Sequence, residues 1–348
     1  MKYGYCLQER KYNCPAWRGG FGLGWAYKII TSQGMVFGYG DEEVIRRAFT
    51  GADVVHFIVP FGIALRAIKV AQEMKVPYTA AFHTQPENIL YTIHCERVCG
   101  LKDFVYHLFY RHFYKKTRFI HCPTEFIASE LRRTGYENDL RVASNGVHHM
   151  FVPTKVERYP EFVGKKIILS VGRYSREKRH DVAIRACAQS KYAHDIILIL
   201  AGKGVMEKTH RELAAKLGVH VVWGIYTPEE LVRIINMADL YVHPADAEIE
   251  AIACMEAFTC GIVPVISNHP KSATKMFALD DRCLFDHGKP EALAAKMDYW
   301  LDNPEEKDQM SKQYIEYAKE FRIENSVAKL ETMFHDAIDY YRNYYASA

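Results

Sequence analysis

Short β-branched apolar runs alternate with stretches of helical period along most of this 348-residue chain, and that alternation constrains the fold more than any other feature. A strand followed by a helix and then another strand pairs most simply by returning parallel to itself, so the pattern calls for parallel sheets covered by helices. It occurs as two series. In the first, residues 53–59 (Asp-Val-Val-His-Phe-Ile-Val) read as a buried strand, 62–75 as a helix and 77–82 as the next strand. Residues 118–122 and 140–143 supply two more strands, with a helix between them running from Pro123-Thr124 to about Thr134. The second series opens at Lys166 (Lys-Ile-Ile-Leu-Ser-Val) and continues through residues 196–200, 219–223 and 240–242. Between the two, residues 152–164 lose periodicity around Pro153 and Pro160, the composition of an interdomain linker. The expected organisation is α/β: a first doubly wound domain over 1–155, a second over 156–325, and a C-terminal helix over 326–348 that packs back toward the first. Two helix starts are marked by a cap, a Pro and a Glu at the third position, Thr227-Pro228-Glu229-Glu230 and Asn303-Pro304-Glu305-Glu306.

Residues 1–50 depart from this pattern. A domain of this kind should open with a buried strand and a tight glycine turn into a helix, whereas the stretch from Met1 to Trp17 is polar and irregular. The glycine-rich run from Gly19 to Gly24 has no strand before it and reads as a loop. The first domain is therefore expected to lack its first strand and glycine turn.

Composition removes several functional classes. Apolar residues at 49% with 25% charged describe a folded chain, and apolar runs of strand length predict no membrane span. The start Met1-Lys2-Tyr3-Gly4 carries no secretory signal, and nine scattered cysteines read as reduced core thiols, so the expected location is the cytoplasm. Cys95 and Cys99 stand one helical turn apart with no second pair at zinc-finger spacing, so no metal site is expected there. Residues 1–160 hold 21 Lys+Arg against 14 Asp+Glu, and residues 161–348 hold 24 against 28. A basic first half and an acidic second half face different partners, but a net charge of +3 with no recognised module argues against nucleic acid.

Four features in the second series carry chemistry. Gly172-Arg173-Tyr174-Ser175-Arg176-Glu177-Lys178 follows a strand, where the carboxyl edge of a parallel sheet forms the ligand crevice and Arg173 with Lys178 would neutralise a diphosphate. A solvated loop explains the same charges. Gly202 and Gly204 end the next strand and permit close backbone approach to a ligand. Gly224, in Trp223-Gly224-Ile225-Tyr226, could let a base stack against the chain, though a plain strand-to-helix turn explains it equally. Finally, Glu248 precedes an apolar helix and Glu256 lies about two turns into it, with the amides of Ile249, Glu250 and Ala251 between them at the positive end of the helix dipole. An enclosed carboxylate such as Glu256 needs a partner, either a salt bridge or the hydroxyls of a ligand.

Taken together, Gly-Arg-x-x-x-x-Lys, Gly-x-Gly, the Gly224 turn, Glu-x7-Glu and the following Cys260-Gly261-Ile262-Val263-Pro264-Val265 resemble glycosyltransferase family 4, over residues 40–340 and most strongly over 165–270. That resemblance, to the diacylglycerol glucosyltransferase and group 1 branch, implies the GT-B fold: two Rossmann-like domains facing a cleft. It implies a retaining transfer of a hexose from a nucleoside diphosphate sugar, a UDP-sugar first, with no tightly bound cofactor and no required divalent metal. By similarity Arg173 and Lys178 hold the diphosphate, Glu248 the sugar hydroxyls and Glu256 the ribose. The backbone at Gly202, Gly204, Gly224, Ile225, Ile249, Glu250 and Ala251 completes the donor contacts, and His83, in Phe82-His83-Thr84, touches the transition state. Asn145, in Asn145-Gly146-Val147, resembles the family's turn at the interdomain crossover. In such enzymes the leaving diphosphate assists the incoming hydroxyl, so stabilising its charge is the main catalytic effect. Where the family often has a small residue, an aromatic and a Gly after the first Glu, this chain has Ile249-Glu250-Ala251, which adds bulk and charge.

The acceptor is a lipid or a glycan. Residues 104–118 form a basic, aromatic, helix-like segment that either lies on an anionic membrane surface, making the protein peripheral at the inner face of a membrane, or packs on its own sheet. Two rival readings accompany the transferase: a silent or truncated GT-B subunit that binds donor only, and a sugar-nucleotide epimerase on the same fold.

Overall fold

The computed structural model describes residues 40–347, so the expected missing strand and glycine turn, the run from Gly19 to Gly24, Cys6 and Cys14 lie outside the described residues. The chain divides into two compact units, Met1–Ser144 with Val327–Ala348, and Asn145–Ser326.

The first unit carries a parallel sheet in the order β1-β2-β3-β4. Its strands are β1 (Val55–Phe57), β2 (Tyr78–Ala81), β3 (Phe119–Cys122) and β4 (Asp139–Val142), each within a residue or two of the runs read from the sequence at all but the first, which is shorter. Its core is aromatic, with Phe82, Tyr106, Tyr114 and Tyr136 all buried. Each enclosed phenol finds an acceptor, Tyr114 donating to the Ala81 carbonyl at 2.9 Å, Tyr136 to that of Tyr106 at 2.8 Å, and Tyr106 to Glu87 Oε2 at 3.2 Å. Phe119 of β3 packs on Met333 and Ala337 of the C-terminal helix (Ile323–Ser347). The helix-like segment read over 104–118 lies in a helix over Leu101–His112 followed by a 3₁₀ turn over Tyr114–Lys116. The break falls at Phe113, whose backbone leaves the helical region (φ −130°, ψ −64°) and whose ring, like that of Tyr114, is buried.

The second unit carries a six-stranded parallel sheet in the order β10-β9-β8-β5-β6-β7. These strands are β5 (Lys166–Val171), β6 (Ile196–Ala201), β7 (Val221–Gly224), β8 (Leu240–His243), β9 (Pro264–Ser267) and β10 (Leu284–Phe285). All six residues of β6 are buried, as expected for a central strand covered on both faces. Strand β5 pairs with β6 on one side and β8 on the other, so the order reverses between β5 and β8 and their carboxyl ends open a crevice. Thr227 forms a full capping box with Glu230. Asn303 makes no side-chain cap; its Nδ2 donates back to the Tyr299 carbonyl at 2.8 Å, so this Asn closes the helix before it rather than opening the one after. The irregular stretch 152–164 is tied onto this unit by Thr154 N donating to Asn236 Oδ1 at 2.7 Å, Arg158 pairing with Asp239 at 2.6 Å, and buried Phe162.

Candidate active site

Two loops leave the sheet at the switch point, one after β5 and one after β8, and main-chain and side-chain bonds lace them together. Asp246 N donates to the Glu177 carbonyl at 2.8 Å, and Arg179 Nη1 donates to Asp246 Oδ2 at 3.1 Å. Arg179 holds a left-handed backbone (φ 52°, ψ 38°), unusual for a side chain of this size, and also pairs with Asp181 at 3.0 Å.

At the centre of this lacing Lys178 Nζ donates to Glu248 Oε1. His243, the last residue of β8, places Nε2 3.0 Å from the same oxygen, and Tyr241 OH lies 3.1 Å from its Nδ1. All four side chains are largely enclosed, and Glu248 is 7% exposed. Burial alone would raise the Glu248 pKa, but the Lys178 ammonium and the His243 hydrogen bond outweigh it and hold the carboxyl down at about 2. Burial lowers His243, so it is neutral and one ring nitrogen donates while the other accepts. Both protein bonds to Glu248 fall on Oε1; Oε2 accepts none among the described residues.

Arg173 is half-exposed and lies 3.5 Å from Glu177. Glu177 is itself buried and accepts from Ser175 Oγ at 2.5 Å. Lys178 and Glu248 meet each other, and Arg173 stands at the mouth of the same loop.

Glu250, which adds a charge beside the expected donor site, turns its carboxylate onto Asn145. The Asn145 main-chain N lies 3.1 Å from both oxygens and Nδ2 lies 2.6 Å from Oε2. Ala251 N-caps the helix over Ile252–Thr259 in the left-handed region (φ 65°, ψ 63°), and its methyl side chain offers the first amides of that helix no cap. Two turns on, Glu256 has no hydrogen bond or ion pair among the described residues, and burial pushes its carboxyl up to about 7. The salt-bridged reading of Glu256 is therefore not found.

The glycines sit where other chain atoms crowd them. A Cβ on Gly202 would lie 2.0 Å from the Gly172 carbonyl oxygen, and one on Gly204 would lie 2.4 Å from that of Tyr174. The close approach that these glycines permit is thus between the β5 and β6 loops themselves. Likewise the space beside Gly224 is filled by the ring of Tyr226, 2.4 Å from a Cβ there, while Ile225 is 68% exposed.

His83 lies two residues beyond the end of β2 in the first unit, half-buried, with its ring 5.3 Å from that of His121. Burial and then His121 lower its pKa to about 4, so at neutral pH it is an uncharged hydrogen-bonding group. Among the described residues no group of three or more His, Cys, Asp or Glu is arranged to hold a metal ion.

Sequence reading missed Tyr241, His243, Asp246 and Arg179. A histidine closing the apolar run of β8 was the available signal, since a buried imidazole there needs partners.

With this geometry in hand, the profile of the family described as "Glycosyl transferases group 1" matches residues 152–321, and that described as "Glycosyltransferase Family 4" matches residues 33–150. An alpha-monoglucosyldiacylglycerol synthase from Streptococcus pneumoniae is 24% identical over 260 residues, covering 67% of this chain and 57% of that protein. The chain spans about half or less of the length of the curated relatives it matches. Among solved structures, Anabaena HepE in complex with UDP and glucose superposes with a TM-score of 0.69 at 14% identity, over 84% of this chain and 80% of that one. The catalytic domain of cholesterol-alpha-glucosyltransferase from Helicobacter pylori is 47% identical, over 45% of this chain and 99% of that one, with a TM-score of 0.43.

Proposed function

The chain belongs to the group 1, family 4 glycosyltransferases and has their GT-B fold, and from that premise we propose that it moves a hexose from a UDP-sugar to a membrane lipid with retention of configuration. The observation that carries the reading is the contrast at the switch point: a buried Lys178–Glu248 pair beside an enclosed Glu256 with no protein partner among the described residues. Ribose hydroxyls would supply the donors that Glu256 lacks, and sugar hydroxyls would reach the open Oε2 of Glu248. Lys178 and Arg173 would take the diphosphate charge as the glycosidic bond breaks, without a divalent metal. HepE, solved with UDP and glucose, supports a UDP-sugar as donor.

We read the first unit as the acceptor side and the second as the donor side, with His83 as the first unit's contact to the reacting sugar. The name of the pneumococcal relative supports a diacylglycerol-type acceptor. So does the helix over Leu101–His112, which buries Tyr106 and Phe109 yet exposes Phe104 (60%) and Leu108 (40%), with Arg111 in its last turn. It is amphipathic toward its own core and still presents an apolar, basic edge suited to an anionic lipid surface. No helix among the described residues is long and apolar enough to cross a membrane.

The test follows UDP release from UDP-glucose with vesicles of anionic phospholipid containing dioleoylglycerol. Vesicle-dependent release with an α-linked glycolipid product supports the reading. UDP binding without release supports a silent subunit, conversion of the donor without vesicles supports an epimerase, and no binding of UDP rules out the donor site.

A further inference from the structure

Glu248 is held from two sides that differ in character. Lys178 approaches from the loop that faces the crevice and is 18% exposed at its side chain, whereas His243 approaches from the end of a buried strand and is 3% exposed. A carboxylate accepts only, so His243 Nε2 must carry the hydrogen on the 3.0 Å bond. The neutral ring then has a bare Nδ1, which accepts the hydroxyl of Tyr241 at 3.1 Å. Tyr241 is fully buried, pairs through Leu169 of β5, and stacks on His243 with ring centroids 5.9 Å apart, so its hydroxyl has a fixed origin. The result is a directed chain, Tyr241 OH to His243 to Glu248 Oε1, built entirely on one strand and the loop after it.

We propose that His243 is the positioning residue for Glu248: it keeps Oε1 occupied from within, tautomer fixed by Tyr241, so that Lys178 can leave for an incoming diphosphate while Oε2 stays aimed at the donor sugar. This rests on the donor site proposed above. Lys178 cannot hold Glu248 and neutralise a diphosphate fully at once, and a buried carboxylate that loses its only partner protonates or swings away. The inner bond from His243 removes that conflict. Its effect is specific to the sugar, because the nucleoside and the diphosphate do not touch Glu248 in this arrangement.

The experiment compares UDP affinity with kcat/KM for UDP release from UDP-glucose in three variants of the full chain. His243→Leu is expected to lower kcat/KM by about 30-fold or more, mainly in kcat, while the Kd for UDP weakens by less than about fivefold. His243→Gln keeps an N–H for Oε1 and is expected to restore kcat/KM to within about fivefold of the parent. Tyr241→Phe, one oxygen smaller, is expected to lower kcat/KM about three- to tenfold with UDP binding intact. Equal losses in UDP affinity and kcat/KM for His243→Leu, or kcat/KM within twofold of the parent, would overturn the proposal. If His243→Leu does not fold, Tyr241→Phe decides: the stated loss supports the chain of bonds, and an unchanged kcat/KM overturns it. Failure of the parent protein to bind UDP removes the donor site itself, whereas a binding, active parent with indifferent variants removes only the role of His243.

Discussion

Glu248 and Glu256 lie eight residues apart, both largely enclosed, yet one carboxyl is held at about 2 and the other pushed to about 7. The loop after β5 supplies Glu248 with a cation and the end of β8 supplies it with an imidazole; among the described residues, the helix face around Glu256 supplies nothing but burial. The same side chain is thus a settled ion in one region and a standing cost in the other. At about 1.4 kcal/mol per unit, raising Glu256 from 4.5 to about 7 costs on the order of 3 kcal/mol at pH 8. A fold tolerates such a cost where a ligand offsets it.

Breaking the settled region is expected to have the largest effect. Lys178→Ala leaves Glu248 with a single neutral partner, and loss of one member of a buried pair costs about 3 kcal/mol. UDP release should fall by about 100-fold or more, since the same ammonium is proposed to meet the diphosphate. Thermal unfolding and initial rates on one preparation check both parts; an unchanged melting temperature would contradict the pairing.

Removing the unsettled charge should act in the opposite direction on stability. Glu256→Gln is expected to stabilise the chain by about 2 kcal/mol at pH 8 and to weaken UDP binding by about tenfold or more. The folded carboxyl is raised above its unfolded value, so its penalty is absent below about pH 4.5, grows as pH climbs toward 7 and is complete above it. Denaturant unfolding at pH 5 and pH 8 should therefore show the variant's advantage shrinking at the lower pH. Glu248 behaves the other way: its contribution is full above about 4.5 and fades only as pH falls toward 2.

The smallest effect separates the two carboxylates at the backbone between them. Ala251 sits at φ 65°, a region costing an L-residue about 1 kcal/mol, so Ala251→Gly should raise stability by about 0.5–1 kcal/mol. A loss on chemical denaturation would mean that the methyl group, 9% exposed, contributes more by packing than it costs in strain.

Much of this architecture is written locally. β-branched runs at strand length, such as residues 196–200, announce buried parallel strands, and Thr227-Pro228-Glu229-Glu230 announces its capping box. The motif positions Arg173, Lys178, Glu248 and Glu256 are legible by spacing as well. What spacing does not carry is which of them meet. Lys178 and Glu248 pair across 70 residues, and Asn145 and Glu250 across 105, by way of the sheet order that brings β5 beside β8. Glu250 therefore reads as an added charge in the sequence and turns out to be tied to Asn145. Asn303 fails as a cap for a related reason, since the preceding helix competes for its side chain and wins. His243 was hidden because a polar residue closing an apolar strand looks like an ordinary strand end until its neighbours are known.

The most direct test titrates UDP into the protein by calorimetry at pH 6 in two buffers of different ionisation enthalpy, with Glu256→Gln alongside. Ribose hydroxyls that favour the charged carboxylate should expel its proton, so the parent should release close to one proton more per UDP bound than the variant, whose release comes from the diphosphate alone. UDP binding with no more proton release from the parent than from Glu256→Gln would contradict the claim that Glu256 is a carboxyl held for the donor.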